Sequence, residues 1–337
     1  VNDIVMSETA RLAHYVLPCR TFYEAWDATF FPWTYPEVYF QIRRPIVEPP
    51  GQCLEAAQIH TLLADKLGLI PNISDEVRQA AESDRLTFGA KLMGWAATEP
   101  KAMASMPFVL AKTLGRVWDS AARAGLWGML MTAPKVFREN AGRAGFEPGI
   151  DQGDRIFQAL LDVPQGLWVG RADVDNPMES VKTPSGKIEI YIPELKEQAS
   201  AIDAASEARG LQMPAAFPLI LNAGRHMMTN ANTLMRNPEW NEGKRACTIS
   251  VNPAEAEALG LTDGQQVRVT TESGNAVGEL QVSDQVRRGM VLIPHGFGLI
   301  YGDRIYGINV NRLTKNTHRD PIGTPLHRYV PCRLEAV

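Results

Sequence analysis

Apolar and polar positions give the chain several distinct textures. Tyr15-Val16-Leu17-Pro18 is a short apolar run ended by a proline, the pattern of a brief buried strand. From Gln52 to Leu67 the residues Ile59, Leu62, Leu63 and Leu67 recur at helical spacing, and Gly68 stands where a left-handed residue closes a helix. Residues 1–70 thus read as an α/β segment, the last strands and helix of a larger domain. Residues 71–165 read as a mostly helical insertion, with Ser74 a candidate N-cap ahead of Asp75 and Glu76. That stretch is dense in Met93, Trp95, Met103, Met106, Trp118, Trp127, Met129 and Met131. Core packing is the plain reading of such a stripe, and a hydrophobic lid or partner surface the sharper one.

From residue 166 the period shortens. Thr183-Pro184-Ser185-Gly186-Lys187 reads as a turn and Ile188-Glu189-Ile190-Tyr191 alternates like a strand. Residues 196–214 are polar and alanine-rich, a linker or surface helix. Residues 215–337 hold several short strands around one short helix. Leu219-Ile220-Leu221, Thr248–Val251, Val267–Thr270, the run ending Leu280-Gln281-Val282, and Met290–Pro294 are the strands. Asn252 caps the helix with Pro253 at its first position, and Gly260 stops it. Many short strands in a small unit suggest a closed barrel.

Composition excludes several classes. The chain has 337 residues, 45% apolar and 21% charged, with net charge −4, so no bulk field points to nucleic acid or an anionic membrane. The longest uncharged apolar stretches, 102–111 and 124–134, fall short of the roughly 20 residues of a spanning helix. Cys19, Cys53, Cys247 and Cys332 are scattered without a C-x-x-C pair, which argues for buried thiols over a disulfide framework, a zinc site or an iron–sulfur site. No basic-then-apolar leader opens the sequence at Val1. P-loop, G-x-S-x-G and H-E-x-x-H motifs are absent.

Candidate chemistry sits at strand ends. Asn222-Ala223-Gly224-Arg225-His226 follows a strand directly and continues to Thr229 and Asn230. Small residues at 223 and 224 would let backbone approach a ligand, and Arg225 offers a planar fork suited to a diphosphate. An ordinary polar loop is the competing reading. His295-Gly296-Phe297-Gly298 follows another strand end, where a lone histidine is more often structural. Asn309 and Asn311 place two amides on the same side if that segment is extended, and His327 and Arg328 follow as groups able to contact phosphate.

Taken in order, these residues resemble the molybdopterin oxidoreductases of the dimethyl-sulfoxide-reductase and formate-dehydrogenase superfamily, in their C-terminal half. Asp3-Ile4-Val5-Met6-Ser7-Glu8-Thr9-Ala10, then Val16-Leu17-Pro18 and Glu24, resemble the family's D-x-x-x-T/S-x-T-A…L-P…E run, and Thr183–Tyr191 resembles its T-P-S-G-K-I-E-L-Y stretch. The resemblance implies an α/β fragment and helical insertion followed by a double-psi β-barrel, residues 215–337, that binds the molybdopterin dinucleotide. It implies cofactor contacts at Asp3, Ser7, Asn222, Gly224, Arg225, His226, Thr229, His295, Asn311 and Arg328, and neither a catalytic residue nor a metal ligand in this chain. The implied cofactor is bis-(molybdopterin guanine dinucleotide) carrying Mo or W. A 4Fe-4S cluster and the metal ligand would lie on an N-terminal half or catalytic subunit, the implied partner, with an iron–sulfur electron-transfer subunit beyond it. On this reading the chain is a truncated piece or a separate subunit, in cytoplasm or periplasm. A structural subunit of a respiratory-type complex that has lost the cofactor is the alternative. Two positions depart from the family: His14-Tyr15 stands where an Ala-Asp pair is usual, and Ala56, beside Glu55, stands at an acidic position that grips guanine.

Overall fold

A computed structural model describes residues 1–28, 34–225, 234–320 and 322–337. The chain divides into two compact units, one of Val1–Val5 with Ala13–Ile190, the other of Met6–Leu12 with Tyr191–Val337.

In the first unit the strands are short. β1 (Asn2–Asp3) pairs in parallel with β2 (Leu17–Pro18). β3 (Asp27–Ala28) pairs with β5 (Ile42–Arg43), and β4 (Glu37–Phe40) with β6 (Leu167–Arg171). Between them run α1 (Ala56–Lys66), α2 (Asp75–Ala80), α3 (Arg85–Ala96), α4 (Met106–Lys112), α5 (Leu114–Val117), α6 (Ala121–Met131), α7 (Lys135–Arg143) and α8 (Gln152–Asp162). Local chemistry starts and stops them. Ser74 Oγ accepts from the Val77 N–H, and Asp84 accepts from Leu86 and Thr87. Gly68 takes φ +68° just beyond α1.

The helices bury Phe88, Val109, Leu114, Trp127, Ile156, Phe157 and Leu160 in one core, which Ile42 and Val169 from the strand pairs join. Asp154 ties it with three bonds: it accepts from Trp127 Nε1 at 2.8 Å and from Arg85 Nε and Nη2 at 2.5 and 3.1 Å. The Met and Trp stripe splits between core and surface. Trp127 is buried, while Met93, Met103 and Met129 are exposed.

Two expectations fail here. Leu17 and Pro18 are exposed, in a strand of only two residues paired with another of two. Ile188–Tyr191 forms no strand, and Ile188 and Ile190 stand 66% and 89% exposed. Alternation encodes a face only when a partner strand is present to define the sheet.

The second unit carries α9 (Pro193–Ser200) and α10 (Ala204–Gly210), neither with a buried residue. A closed six-stranded barrel follows. Its first five strands are β7 (Leu219–Gly224), β8 (Ile249–Val251), β9 (Gln266–Thr271), β10 (Asn275–Val282) and β11 (Met290–Pro294), with α11 (Pro253–Ala258) between β8 and β9. A small separate ribbon comes next, β12 (Ile300–Tyr301) against β13 (Arg304–Ile305), and then the sixth barrel strand, β14 (Val330–Ala336). The order around the barrel is β10-β8-β11-β7-β14-β9. Two pairs are parallel, β7 with β11 and β8 with β10, and the rest antiparallel. Closure leaves no free sheet edge. Leu221, Ile249, Val251, Val267, Val269, Leu280, Val291 and Ile293 fill the inside, each fully buried. Asn252 Oδ1 caps α11 through the Ala254 N–H, and Gly260 ends it at φ +64°.

Gly153 tests the packing of the helical core. A Cβ there would collide with the Leu130 carbonyl oxygen and sit 2.6 Å from its carbon, backbone that cannot rotate away. Gly153→Ala is expected to destabilise the first unit by about 1–3 kcal/mol, whereas Gly142→Ala, which meets open space, should not. Urea unfolding followed by tryptophan fluorescence decides it, and equal midpoints for the two variants would refute the packing.

Candidate cofactor-binding site

Strand direction decides which residues share a rim of the barrel. β7 and β11 run parallel, with Asn222 opposite Leu292 and Gly224 opposite Pro294. β14 enters antiparallel to β7, with Val330 opposite Leu221. The ends of β7 and β11 and the approach to β14 therefore meet at one rim. Backbone bonds fasten them: His295 N–H donates to the Gly224 carbonyl at 3.0 Å, and Ala223 N–H donates to the His327 carbonyl at 3.1 Å.

That geometry gathers Arg225, His295, His327 and Arg328. Burial first, then the positive charges of Arg225, His327 and Arg328, hold the His295 imidazole below its ordinary 6.5. Neither Arg225 nor Arg328 has a carboxylate partner among the described residues, although other arginines of this unit do. Arg236 pairs with Glu8, and Arg245 with Asp263 and Glu279. The rim is thus a cluster of basic groups without a matching anion among the described residues.

Alternation along β7 buries Leu219, Leu221 and Ala223 and turns Asn222 outward. The Asn222 Oδ1 atom is nevertheless buried, with no hydrogen-bond partner among the described residues. An acceptor left in that state costs free energy until a donor reaches it. The small size of its neighbours has a cause within the fold. Ala223 lies inside the barrel, and a Cβ on Gly224 would collide with Leu292 on the adjoining strand. Gly298 is held by backbone: at φ +70° its Cβ would sit 2.6 Å from the Ile308 carbonyl carbon.

The other sequence candidates are placed differently. Asn311 lies on a short 3₁₀ turn, Val310–Leu313, its N–H bonded to Asn309 Oδ1 at 3.2 Å and its side chain exposed. Asp3 and Ser7 belong to different compact units. Asp3 Oδ1 accepts from the Ile4 N–H, and Ser7 Oγ from the Ala10 N–H. His226, Thr229 and Asn230 lie outside the described residues. Glu55 is buried and occupied, its carboxylate accepting from Ser120 Oγ at 2.8 Å and the Ala122 N–H at 3.1 Å.

One group gave no signal of its own in the sequence. Arg236, 5% exposed, donates to the Ile300 carbonyl at 2.9 Å and pairs with Glu8, which also accepts the Ile300 N–H at 2.8 Å. Burial raises the Glu8 carboxyl, but the Ile300 bond and Arg236 outweigh it and hold it below the ordinary range. This lock anchors the chain just beyond the His295 loop. The one pointer to it was Glu8, which stands inside the N-terminal Asp3–Ala10 motif.

All four cysteines are free. Burial pushes the Cys247 and Cys332 thiols up to about 11 and about 12. Among the described residues no three His, Cys, Asp or Glu side chains gather as a metal site, and no helix is long and apolar enough to cross a membrane.

The family pattern described as Molydopterin dinucleotide binding domain matches residues 219–330, the barrel with its basic rim. The chain is similar to molybdopterin oxidoreductases. It is 23% identical over 308 residues to the F420-dependent formate dehydrogenase subunit alpha of Methanocaldococcus jannaschii, covering 88% of this chain and 34% of that one. To the dimethyl sulfoxide/trimethylamine N-oxide reductase of Rhodobacter capsulatus it is 25% identical over 311 residues, covering 88% and 32%. The chain therefore spans about a third of the length of these molybdopterin oxidoreductases. Acetylene hydratase from Pelobacter acetylenicus shares the fold, with TM-score 0.61 at 18% identity over all of this chain and 40% of that one.

The rim makes a pH prediction. His295 titrates lower in the folded chain than its ordinary 6.5, so the unfolded chain takes up the proton first as pH falls. Stability on this account is lost as pH drops through 6.5, and is fully present above it. Proton NMR should place the His295 midpoint below 6.5, and Arg328→Gln should move it upward. A midpoint above 6.5 in the native chain would refute the cluster.

Proposed function

We propose that this chain is the C-terminal, cofactor-gripping portion of a bis-(molybdopterin guanine dinucleotide) oxidoreductase carrying Mo or W. The observation that carries the reading is the basic rim lying within the family-matched residues 219–330. A diphosphate supplies the anion that Arg225, His327 and Arg328 lack, and planar guanidinium groups suit its oxygens. The orphaned Asn222 Oδ1 would accept an N–H from the pterin or its ribose-linked half. His295, kept neutral at physiological pH, retains both a donor and an acceptor nitrogen for the same ligand.

The chain's residues hold and orient. When bound, the cofactor supplies a metal centre for redox chemistry, while protein groups of this kind tune it without ligating it. The metal ligand, a 4Fe-4S cluster and substrate selection are assigned to the rest of a larger enzyme, with an iron–sulfur subunit as an electron-transfer partner. Unmatched guanidinium groups favour this over a structural subunit without cofactor, since an idle pair of cations at one rim would only repel.

The test is guanine nucleotide content. In the purified enzyme containing this chain, acid release and chromatography should find guanosine monophosphate. Arg225→Ala and Arg328→Ala should each weaken retention about tenfold or more, the equivalent of a charged hydrogen bond worth about 1.5–3 kcal/mol. Full retention in the double variant would sink the proposal.

A further inference from the structure

The first unit holds a second candidate site, far in sequence from the barrel. A cavity of about 510 Å³ lies between α1, α4 and α6, beside β3. That volume falls within the range of small-molecule sites, about 300–1,000 Å³. Its walls are mostly apolar, with Trp26, Phe108, Leu126 and Met129 prominent, and Arg123 is the half-buried cation among them.

Arg123 is unusual in its surroundings. Its guanidinium lies 4.3 Å from the Trp26 ring centre and 5.2 Å from that of Trp118. The aromatic faces stabilise the cation but satisfy none of its in-plane donors. Its Nε is buried with no hydrogen-bond partner, and no ion pair reaches the group among the described residues.

The nearby acids are engaged. Asp27 pairs with Arg43 at 2.6 Å, and Asp154 with Arg85. Glu55 lies close enough for its charge to favour the Arg123 cation, yet its oxygens accept from Ser120 and Ala122. Arg44, over the other reach of the Trp26 ring at 5.9 Å, adds a second cation without a carboxylate partner among the described residues. An apolar cavity lined by a half-buried guanidinium whose Nε has no protein partner among the described residues selects a ligand with the opposite character.

We propose that this cavity binds a small carboxylate with an apolar body. The acid group meets the Arg123 guanidinium edge, and the body packs on Trp26, Phe108 and Leu126. The site is independent of the dinucleotide reading, because it uses no residue of 219–330.

The probes are phenylbutyrate and its neutral counterpart phenylbutanol, titrated into the purified full chain by calorimetry, with tryptophan fluorescence as a second readout. The acid should bind saturably and about tenfold more tightly than the alcohol. Arg123→Met, which keeps the length and packing of the stem, should bring the acid down to the affinity of the alcohol. Gly125 lines the cavity, and a Cβ added to it would meet nothing within 4 Å, so Gly125→Phe should block both probes. Equal affinity for acid and alcohol in the native chain overturns the proposal. So does the absence of saturable acid binding, or unchanged acid binding in either variant at native helicity. Should Arg123→Met fail to fold, the native acid-to-alcohol ratio and Gly125→Phe still decide.

Discussion

The parallel pairing of β7 with β11 is the constraint on which the rest of the barrel unit depends. Antiparallel strands would carry the two loops that follow them to opposite ends. Parallel strands deliver both to one rim, and the bond from His295 N–H to the Gly224 carbonyl fastens the loops as they leave. β14, antiparallel to β7, then returns the chain to the same place at its beginning, bringing His327 and Arg328. Residues about a hundred positions apart in the sequence thus become neighbours through hydrogen-bond direction alone. Their side chains did not have to attract one another, and four basic groups would not have.

The cost of holding like charges together is met by barrel packing. Fully buried Val, Leu and Ile side chains fill the interior, and closure leaves no edge along which the sheet could loosen. A rigid wall also explains one of the glycines. Gly298, at φ +70° against the backbone at Ile308, is required by the protein itself, while a Cβ on Gly224 would meet only the movable end of Leu292. Smallness at a strand end is therefore ambiguous evidence of a ligand, and the unmatched cations are the better sign.

Much of this was legible in the sequence where local chemistry acts alone. Ser74, Asn252, Gly68 and Gly260 bound their helices as their residue types dictate. Strand runs such as Met290–Pro294 were visible as apolar blocks between turns, and the rim residues Asn222, Arg225, His295 and Arg328 stood at their ends. What local pattern cannot carry is the presence of a partner. Tyr15–Pro18 and Ile188–Tyr191 have strand-like composition, yet one gains only a two-residue neighbour and the other none among the described residues. Pairing across the chain was equally hidden. Glu55 seemed a spare acid beside a guanine-gripping position, and only the fold reveals Ser120 and Ala122 as its partners. Arg236 gave no sign until Glu8 was found against it.

That last pair has a consequence for how the protein is made. Met6–Leu12 belongs to the barrel unit, while the residues on both sides of it belong to the other. Glu8 must wait for Ile300, 292 positions later, before its carboxylate finds the backbone it holds. During synthesis the early segment leaves the ribosome long before the strands that will receive it exist. The helical unit can consolidate meanwhile, but the barrel unit cannot be completed until nearly the whole chain has emerged. Contacts that span such a separation form slowly. Closure of the Glu8 contact is therefore a late event in the folding of the barrel unit.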